Sequence, residues 1–375
     1  MQANKLPSLL DAPLSAGTRV LLALDLNVSC KDGKVTDTFR IEKVLPTLEY
    51  LSKKGCRTMI ISHMGSDGSR TLAPIAEFLK KTFKILFANS LSEAREMSAT
   101  LSNGEFLLLE NIRREAGEMA NDPELAKRLA SLADIYVNEA FSVSHRAHSS
   151  LVGVPKLLPS FAGFQFIEEV EKLSTALKPI HPSLFVLGGA KFETKLPLLM
   201  KFLNRYDRVF VGGALANDLF RAMGVSVGDS LVSERTLDLK VVTENPSVRL
   251  PLDFLVQKGP VTVVTPPEAL GKGERVVDSG PKTAEFLAEL AAESKFILWN
   301  GPLGEFERGF SERTLAFARA VAESGAHSIV GGGDTISAIQ SLNMLEKFDF
   351  VSTGGGAMLD FLANETLPGI EALKK

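Results

Sequence analysis

The chain has 375 residues, 45% of them hydrophobic and 23% charged, a composition that can bury large cores and excludes both a single small module and a disordered chain. The formal net charge is −3 with no block of like charges, which excludes the electrostatic footprint of a nucleic-acid binder. Residues 1–160 carry 20 Lys and Arg against 18 Asp and Glu, and the remainder 22 against 27, so an anionic ligand is expected on the first half. Cys30 and Cys56 form no disulfide framework and no metal-ligand cluster. No run of about 18 apolar residues occurs, and the opening stretch MQANKLPSLLDAPLSAG lacks a long apolar core. The expectation is a cytoplasmic protein with neither membrane nor nucleic-acid partners.

Along the first half, short apolar and β-branched runs recur as VLLALDL (20–26), TMIIS (58–62), FLLLE (106–110) and DIYV (134–137). The second half continues with LFVLGG (184–189), RVFVGG (208–213), VTVVTP (261–266), FILWNG (296–301), SIVGGG (328–333) and FVSTGGG (350–356). Continuous apolar runs of this length predict strands buried on both faces. Between them lie stretches of helical period such as Ile41, Val44, Leu45, Leu48 and Leu51, and Asn121-Asp122-Pro123 supplies a helix start before Leu125, Leu129 and Leu132. Alternating strands and helices imply parallel sheets covered on both sides. The strands are too many for one sheet, which predicts an α/β fold of two doubly wound, Rossmann-like parallel-sheet domains. Pro155, Pro159, Pro179 and Pro182 bracket a predicted helix over 163–177, so the expected division is a first domain over 1–160, an interdomain helix over 161–178 acting as hinge, and a second domain beyond it.

In open α/β sheets ligands bind at the carboxyl ends of strands. Gly188-Gly189, Gly212-Gly213, Gly301 with Gly304, Gly331-Gly332-Gly333 and Gly354-Gly355-Gly356 each end an apolar run. Repeated glycine at such places lets phosphates approach backbone amides and predicts a phosphate-rich ligand. None of these turns has Walker A or GxGxxG spacing. Lys191 and Lys195 stand at i and i+4 on the helix after one turn, while Asp334 and Thr335 stand where another helix begins. Asp334 is either an N-cap or a ligand of Mg²⁺ carried by a nucleotide. In the first half, Asp25 and Asn27 end the first run, and Arg40, His63, Arg113, His145, Arg146 and His148 each follow an apolar run. Cations gathered at one sheet edge repel one another unless an anion joins them.

LDLNV (24–28), TDTFRI (36–41), SHMG (62–65), LLLENIR (107–113), NDPELAKRLASLADIYVNEAF (121–141), HRAHSS (145–150), LGGAKFETK (187–195), WNGPLGEFE (299–307), GGGDT (331–335), STGGGA (352–357) and LPGIEAL (367–373) together resemble the phosphoglycerate kinase family, in its order and spacing across nearly the whole chain. The resemblance implies reversible phosphoryl transfer between 1,3-bisphosphoglycerate with ADP and 3-phosphoglycerate with ATP, assisted by Mg²⁺, in glycolysis and gluconeogenesis. It implies a hinge-bending monomer with the acid on the first domain, nucleotide on the second (179–363), and segment 364–375 returning to complete the first. By motif, Asp25, Asn27, Arg40, His63, Arg113, His145, Arg146 and His148 would hold the acid substrate. Gly189, Lys191, Lys195, Gly212, Gly213, Asn300, Pro302, Glu307, Gly332, Gly333, Asp334 and Thr335 would hold the nucleotide, with Asp334 the metal ligand. Arg40, Lys195 and the helix start at Gly354, Gly355 and Gly356 would act on the moving phosphoryl group.

Four places depart from the family. Ala23 and Ser66 stand where the family usually has arginine, Ser142-Val143-Ser144 replaces a Gly-Thr-Ala type stretch, and Ala214 replaces the third glycine of a Gly-Gly-Gly turn. Arg70 and Arg114 match the missing charges in number, and we expect at least one of them to reach the substrate phosphate. A paralogue acting on another acid, or a nucleotide-binding protein without turnover, is the competing reading.

Overall fold

The computed structural model describes residues 6–190, 192–234 and 238–374; Lys191 therefore lies outside the described residues. The chain divides into two units, one running to Glu171 and resuming at Asn364, the other spanning Lys172–Ala363. The division falls inside the helix Phe164–Thr175.

In the first unit the apolar runs form a 6-stranded sheet. Its spatial order is Ile85–Ala88, Phe106–Leu109, Arg57–Ile61, Arg19–Leu24, Ile135–Glu139 and Ser160–Ala162, all parallel. The central strand registers Ala23 against Ile61 on one side and Asn138 on the other, so the strands of the VLLALDL, TMIIS and DIYV runs end together. Helices cover this sheet with their apolar stripes. On Phe39–Lys53, Ile41, Val44, Leu48 and Leu51 are buried, each burial contributing about 1.5–3 kcal/mol. Asp122 caps Pro123–Ala130 by accepting from the Glu124 amide at 2.9 Å, and Pro123 occupies a first-turn position where its missing N–H costs nothing. The returning segment ends in the helix Pro368–Leu373 with Ile370 and Leu373 buried. Gly369 donates to the Ser144 carbonyl at 2.9 Å, and a Cβ there would lie 2.6 Å from the Ser144 side chain.

The second unit repeats the plan with a 6-stranded sheet. Its order is Val248–Arg249, Arg208–Val211, Ser183–Leu187, Phe296–Asn300, His327–Gly331 and Phe350–Val351, again parallel throughout. Phe296, Ile297, Leu298 and Trp299 are all buried, as a strand covered on both faces requires.

One expectation is overturned. VTVVTP is not a buried strand of the parallel sheet: Val261–Thr265 is the edge of a separate 3-stranded antiparallel sheet with Phe254–Lys258 and Glu274–Ser279. Val261, Val263 and Val264 are exposed. A short apolar run carries no mark of whether a second layer will cover it, and β-branched residues suit an edge hairpin as well as a core strand.

Candidate functional site

In the first unit the acidic and basic residues gather at the carboxyl ends of the central strands. Asp25 is buried and its Oδ2 lies 3.2 Å from Nη1 of Arg40, the residue that opens the helix Phe39–Lys53. The same Arg40 nitrogen donates to the Asn27 carbonyl at 3.0 Å, and the Asn27 side chain accepts from the Gly65 amide at 3.0 Å. Ser142 Oγ donates to Asp25 at 2.5 Å, so one residue of the altered Ser-Val-Ser stretch helps hold the carboxylate. Arg113 donates to the Gly65 carbonyl, and Asn111 ties the same loop down through Met64 and Arg70 carbonyls at 2.7 and 2.9 Å. Asn111 carried no sequence signal beyond its place in LLLENIR.

The electrostatics of this cluster belong to its arginines. Burial drives His63 down to about 4, with Asp25 opposing and Arg113, Arg40 and His148 adding to the fall. Burial likewise takes His148 down to about 4, helped by Arg113, Arg146 and His145. Both imidazoles are neutral at pH 7, which corrects the expectation that they add positive charge. Burial and then the neighbouring Arg146 also disfavour the charged form of Arg113. Guanidinium groups placed to repel one another are stabilised when an anion lies between them.

The departures from the family pattern have distinct outcomes. Ala23 is buried beside a cavity of about 20 Å³ that His63, Arg113, Glu118 and His148 also line, room for about one water molecule. Arg114 is not turned to a ligand: Nη1 lies 3.1 Å from the buried Glu110 carboxylate and Nε donates to Gly68 at 3.0 Å. Asn111 accepts from the Arg113 amide and starts a short 3₁₀ turn over Ile112–Arg114, so the backbone does bend there, yet the bend sends Arg114 to its own domain's carboxylate. Arg70 and Ser66 are exposed.

In the second unit the Gly-rich turns surround a cavity of about 680 Å³. Gly189, Lys195, Gly213, Asn300, Pro302 and Glu307 line it, as do Gly332, Gly333, Asp334, Gly355 and Gly356. Gly212, Thr335 and Gly354 are not among its lining residues and act behind them. Thr335 accepts from the Gly301 amide at 3.1 Å, Gly354 donates to Ser352 Oγ at 3.0 Å, and Gly212 caps the helix Gly213–Ala222. Glycine is obligatory at two of these positions. A Cβ on Gly188 would lie 2.2 Å from the Pro302 carbonyl oxygen, and Gly332 holds φ +103°, a region closed to ordinary side chains.

Lys195, on the helix Phe192–Phe202, is buried and donates to the Gly188 carbonyl at 2.5 Å. Burial takes its ammonium down to about 8, with Asp334 pulling the other way. Asp334 is raised, first by burial and then by Glu307, with Lys195 opposing. Among the described residues no group of three His, Cys, Asp or Glu forms a protein-only metal cage. One carboxylate beside phosphate-binding turns fits Mg²⁺ that arrives with a nucleotide, whose phosphates and waters supply the remaining ligands. Sequence reasoning missed Asn217, Leu231, Arg275 and Asp278, which also line the cavity, because no motif marks a wall assembled from a second sheet.

A sequence model described as phosphoglycerate kinase matches residues 10–365. The chain belongs to the phosphoglycerate kinase family. The phosphoglycerate kinase of Thermus thermophilus is 42% identical over 379 residues, covering 96% of this chain and 97% of that protein, and that of Dictyoglomus turgidum is 40% identical over 380 residues, covering 96% of each. Among solved structures, phosphoglycerate kinase from Coxiella burnetii aligns with TM-score 0.83 at 39% identity, covering 99% of this chain and 98% of that one. The Pyrococcus horikoshii enzyme gives TM-score 0.86 at 32% identity, covering 98% of both. The chain is accordingly a phosphotransferase with a carboxyl group as acceptor, and a binding protein without turnover is not favoured. Among the described residues no helix is long and apolar enough to cross a membrane.

Proposed function

We propose that the chain transfers a phosphoryl group between ATP, held in the second-unit cavity, and the carboxylate of 3-phosphoglycerate, held by the first-unit arginines, and runs the reverse reaction from 1,3-bisphosphoglycerate and ADP. In the ATP-consuming direction a carboxylate oxygen attacks the γ-phosphorus, the new O–P bond forms, and the bond to the bridging oxygen of ADP breaks. No covalent enzyme intermediate is needed, so the protein's work is in-line positioning and positive charge around the equatorial oxygens. Arg40, Arg113 and Arg146 bind and orient the acid while the neutral His63 and His148 complete its hydrogen bonds. Lys195 supplies charge at the transferring group, and the amides at the start of the helix Gly356–Asn364 face the same charge. Asp334 would hold Mg²⁺, whose charge would neutralise the phosphates. Closure about the helix Phe164–Thr175 brings the substrates together and excludes water, and the protein works as a monomer in the cytoplasm.

The observation that carries this reading is the buried Lys195 standing with Asp334 in a cavity lined by Gly332, Gly333, Gly355 and Gly356. A coupled assay with 3-phosphoglycerate and Mg-ATP tests it. Saturable turnover is expected, and nucleotide binding without turnover would sink it. Small-angle scattering on the same protein should give a smaller radius of gyration with both substrates than with neither; equal radii would remove closure.

A further inference from the structure

The altered stretch Ser142-Val143-Ser144 is fixed within the first unit by its neighbours on both sides. Phe141–Val143 forms a 3₁₀ turn one residue beyond the strand Ile135–Glu139. Ser144 Oγ donates to the Ala140 carbonyl at 2.9 Å and accepts from Asn138 Nδ2 at 3.2 Å, while the Ser144 carbonyl accepts from the Gly369 amide at 2.9 Å. Ser142 is buried on this held backbone, so its hydroxyl has a set direction. Among the described residues its Oγ makes one hydrogen bond, donated to Oδ2 of Asp25.

That oxygen is shared. Nη1 of Arg40 lies 3.2 Å from the same Oδ2 and also donates to the Asn27 carbonyl at 3.0 Å, while Oδ1 accepts from the Asn27 amide at 3.1 Å. Asp25 is buried, and a buried carboxylate needs donors to balance its charge. When the hydroxyl is withdrawn, the guanidinium becomes the chief partner of Oδ2 and the ion pair tightens. An arginine drawn to its own carboxylate offers less attraction to an incoming anion.

We propose that Ser142 is a positioning residue for the acid substrate: its hydroxyl takes up part of the Asp25 charge and so keeps Arg40 available to the anionic groups of that substrate. The assignment rests on the acid-site reading above and adds to it a residue that acts through Asp25. The role requires a hydrogen-bond donor, not bulk.

The test measures kcat, KM for 3-phosphoglycerate, KM for Mg-ATP and the melting temperature in the parent, Ser142→Ala, Ser142→Cys and Ser142→Thr. Cysteine keeps nearly the shape of serine with a much weaker donor, which covers the case in which alanine disturbs folding. Ser142→Ala and Ser142→Cys are each expected to raise KM for 3-phosphoglycerate about tenfold, as for one lost hydrogen bond to a charged group, with KM for Mg-ATP within about twofold and kcat changed less than KM. Ser142→Thr retains the hydroxyl and is expected to stay within about threefold of the parent. A lowered melting temperature with KM for 3-phosphoglycerate unmoved overturns the proposal, by leaving Ser142 a structural part only. An equal rise in KM for both substrates overturns it as well, and so does a tighter KM for 3-phosphoglycerate in the cysteine variant. A parent that never saturates with 3-phosphoglycerate sinks the acid-site reading and this assignment together, whereas a saturable parent with unmoved variants removes Ser142 alone.

Discussion

Lys195 Nζ and the Gly188 carbonyl oxygen are 2.5 Å apart, so a lysine that lines the cavity is tied back to the residue that follows the strand Ser183–Leu187. In the role proposed for it, a cation held this way meets the transferring phosphoryl group, and it is costly before the nucleotide arrives. Its value near 8, against 10.5 unperturbed, means that the charged form is disfavoured in the folded state. That cost is fully present below about pH 8 and fades as pH rises toward the unfolded value. Lys195→Met is therefore expected to stabilise the protein at pH 7 by roughly 2 kcal/mol, the relief of about 3 kcal/mol less about 1 for the lost hydrogen bond. The same variant should lose about 10²-fold or more in kcat while nucleotide affinity changes less. Thermal melts and steady-state kinetics on one preparation check both, and an unchanged kcat removes Lys195 from the mechanism.

The pH profile follows from the same group. With His63 and His148 at about 4, neither imidazole titrates near neutrality. The rate constant kcat/KM for nucleotide, which reports the free enzyme, is expected to change slope near pH 7, where Asp278 in the cavity lining titrates because burial lifts it to about 7, and to fall above about pH 8 as Lys195 loses its proton. A rise or fall near pH 6.5 that survives Asp278→Asn would show that one of the buried histidines carries charge in the working enzyme.

Asp334→Ala should weaken ATP binding about tenfold or more when Mg²⁺ is present and much less when it is chelated, because a single carboxylate acts on the metal and not on the phosphates. Calorimetric titration with and without Mg²⁺ separates the two. Equal weakening in both conditions would assign Asp334 a structural part only.

At the acid site, Arg114 is engaged by Glu110 and Gly68, which argues against its compensating for Ala23 and Ser66. Arg114→Ala is expected to leave KM for 3-phosphoglycerate within about twofold and to cost about 1 kcal/mol or less of stability, since the guanidinium is half-exposed. Ser66→Arg places a new cation on the exposed loop beside Gly65 and should lower that KM by about tenfold. A large rise in KM for Arg114→Ala would restore compensation.

Glu139 fastens the first turn of the helix Phe164–Thr175. Its carboxylate accepts from the Gln165 and Phe166 amides at 3.0 and 2.9 Å and from Thr47 Oγ1 at 2.5 Å. Burial still lifts it to about 7 from 4.5, so the folded state holds a proton that the unfolded chain has released. Stability from this group falls as pH rises from about 4.5 to 7 and is level beyond. Glu139→Gln, which cannot titrate, should flatten that part of the curve of melting temperature against pH. An unaltered slope would mean that the carboxylate is already ionised at pH 5.

Much of this protein is readable in one dimension. Runs such as VLLALDL and FILWNG specify buried parallel strands because continuous apolar sequence has no other stable place, and Asp122-Pro123 or Gly332 mark turns through local backbone limits that need no distant partner. Lys195, Asp334 and the Gly-rich turns are recognisable for the same reason: their chemistry is written within a few residues of a strand end. The third dimension decided what depends on partners far along the chain. Whether VTVVT is covered, whether His63 is charged, whether Arg114 meets a ligand or Glu110, and whether Ser142 meets Asp25 all turn on burial and on which groups packing brings within 3 Å. Sequence period reports which face of an element is apolar; the dielectric around a group and the identity of its neighbour exist only once the elements have packed.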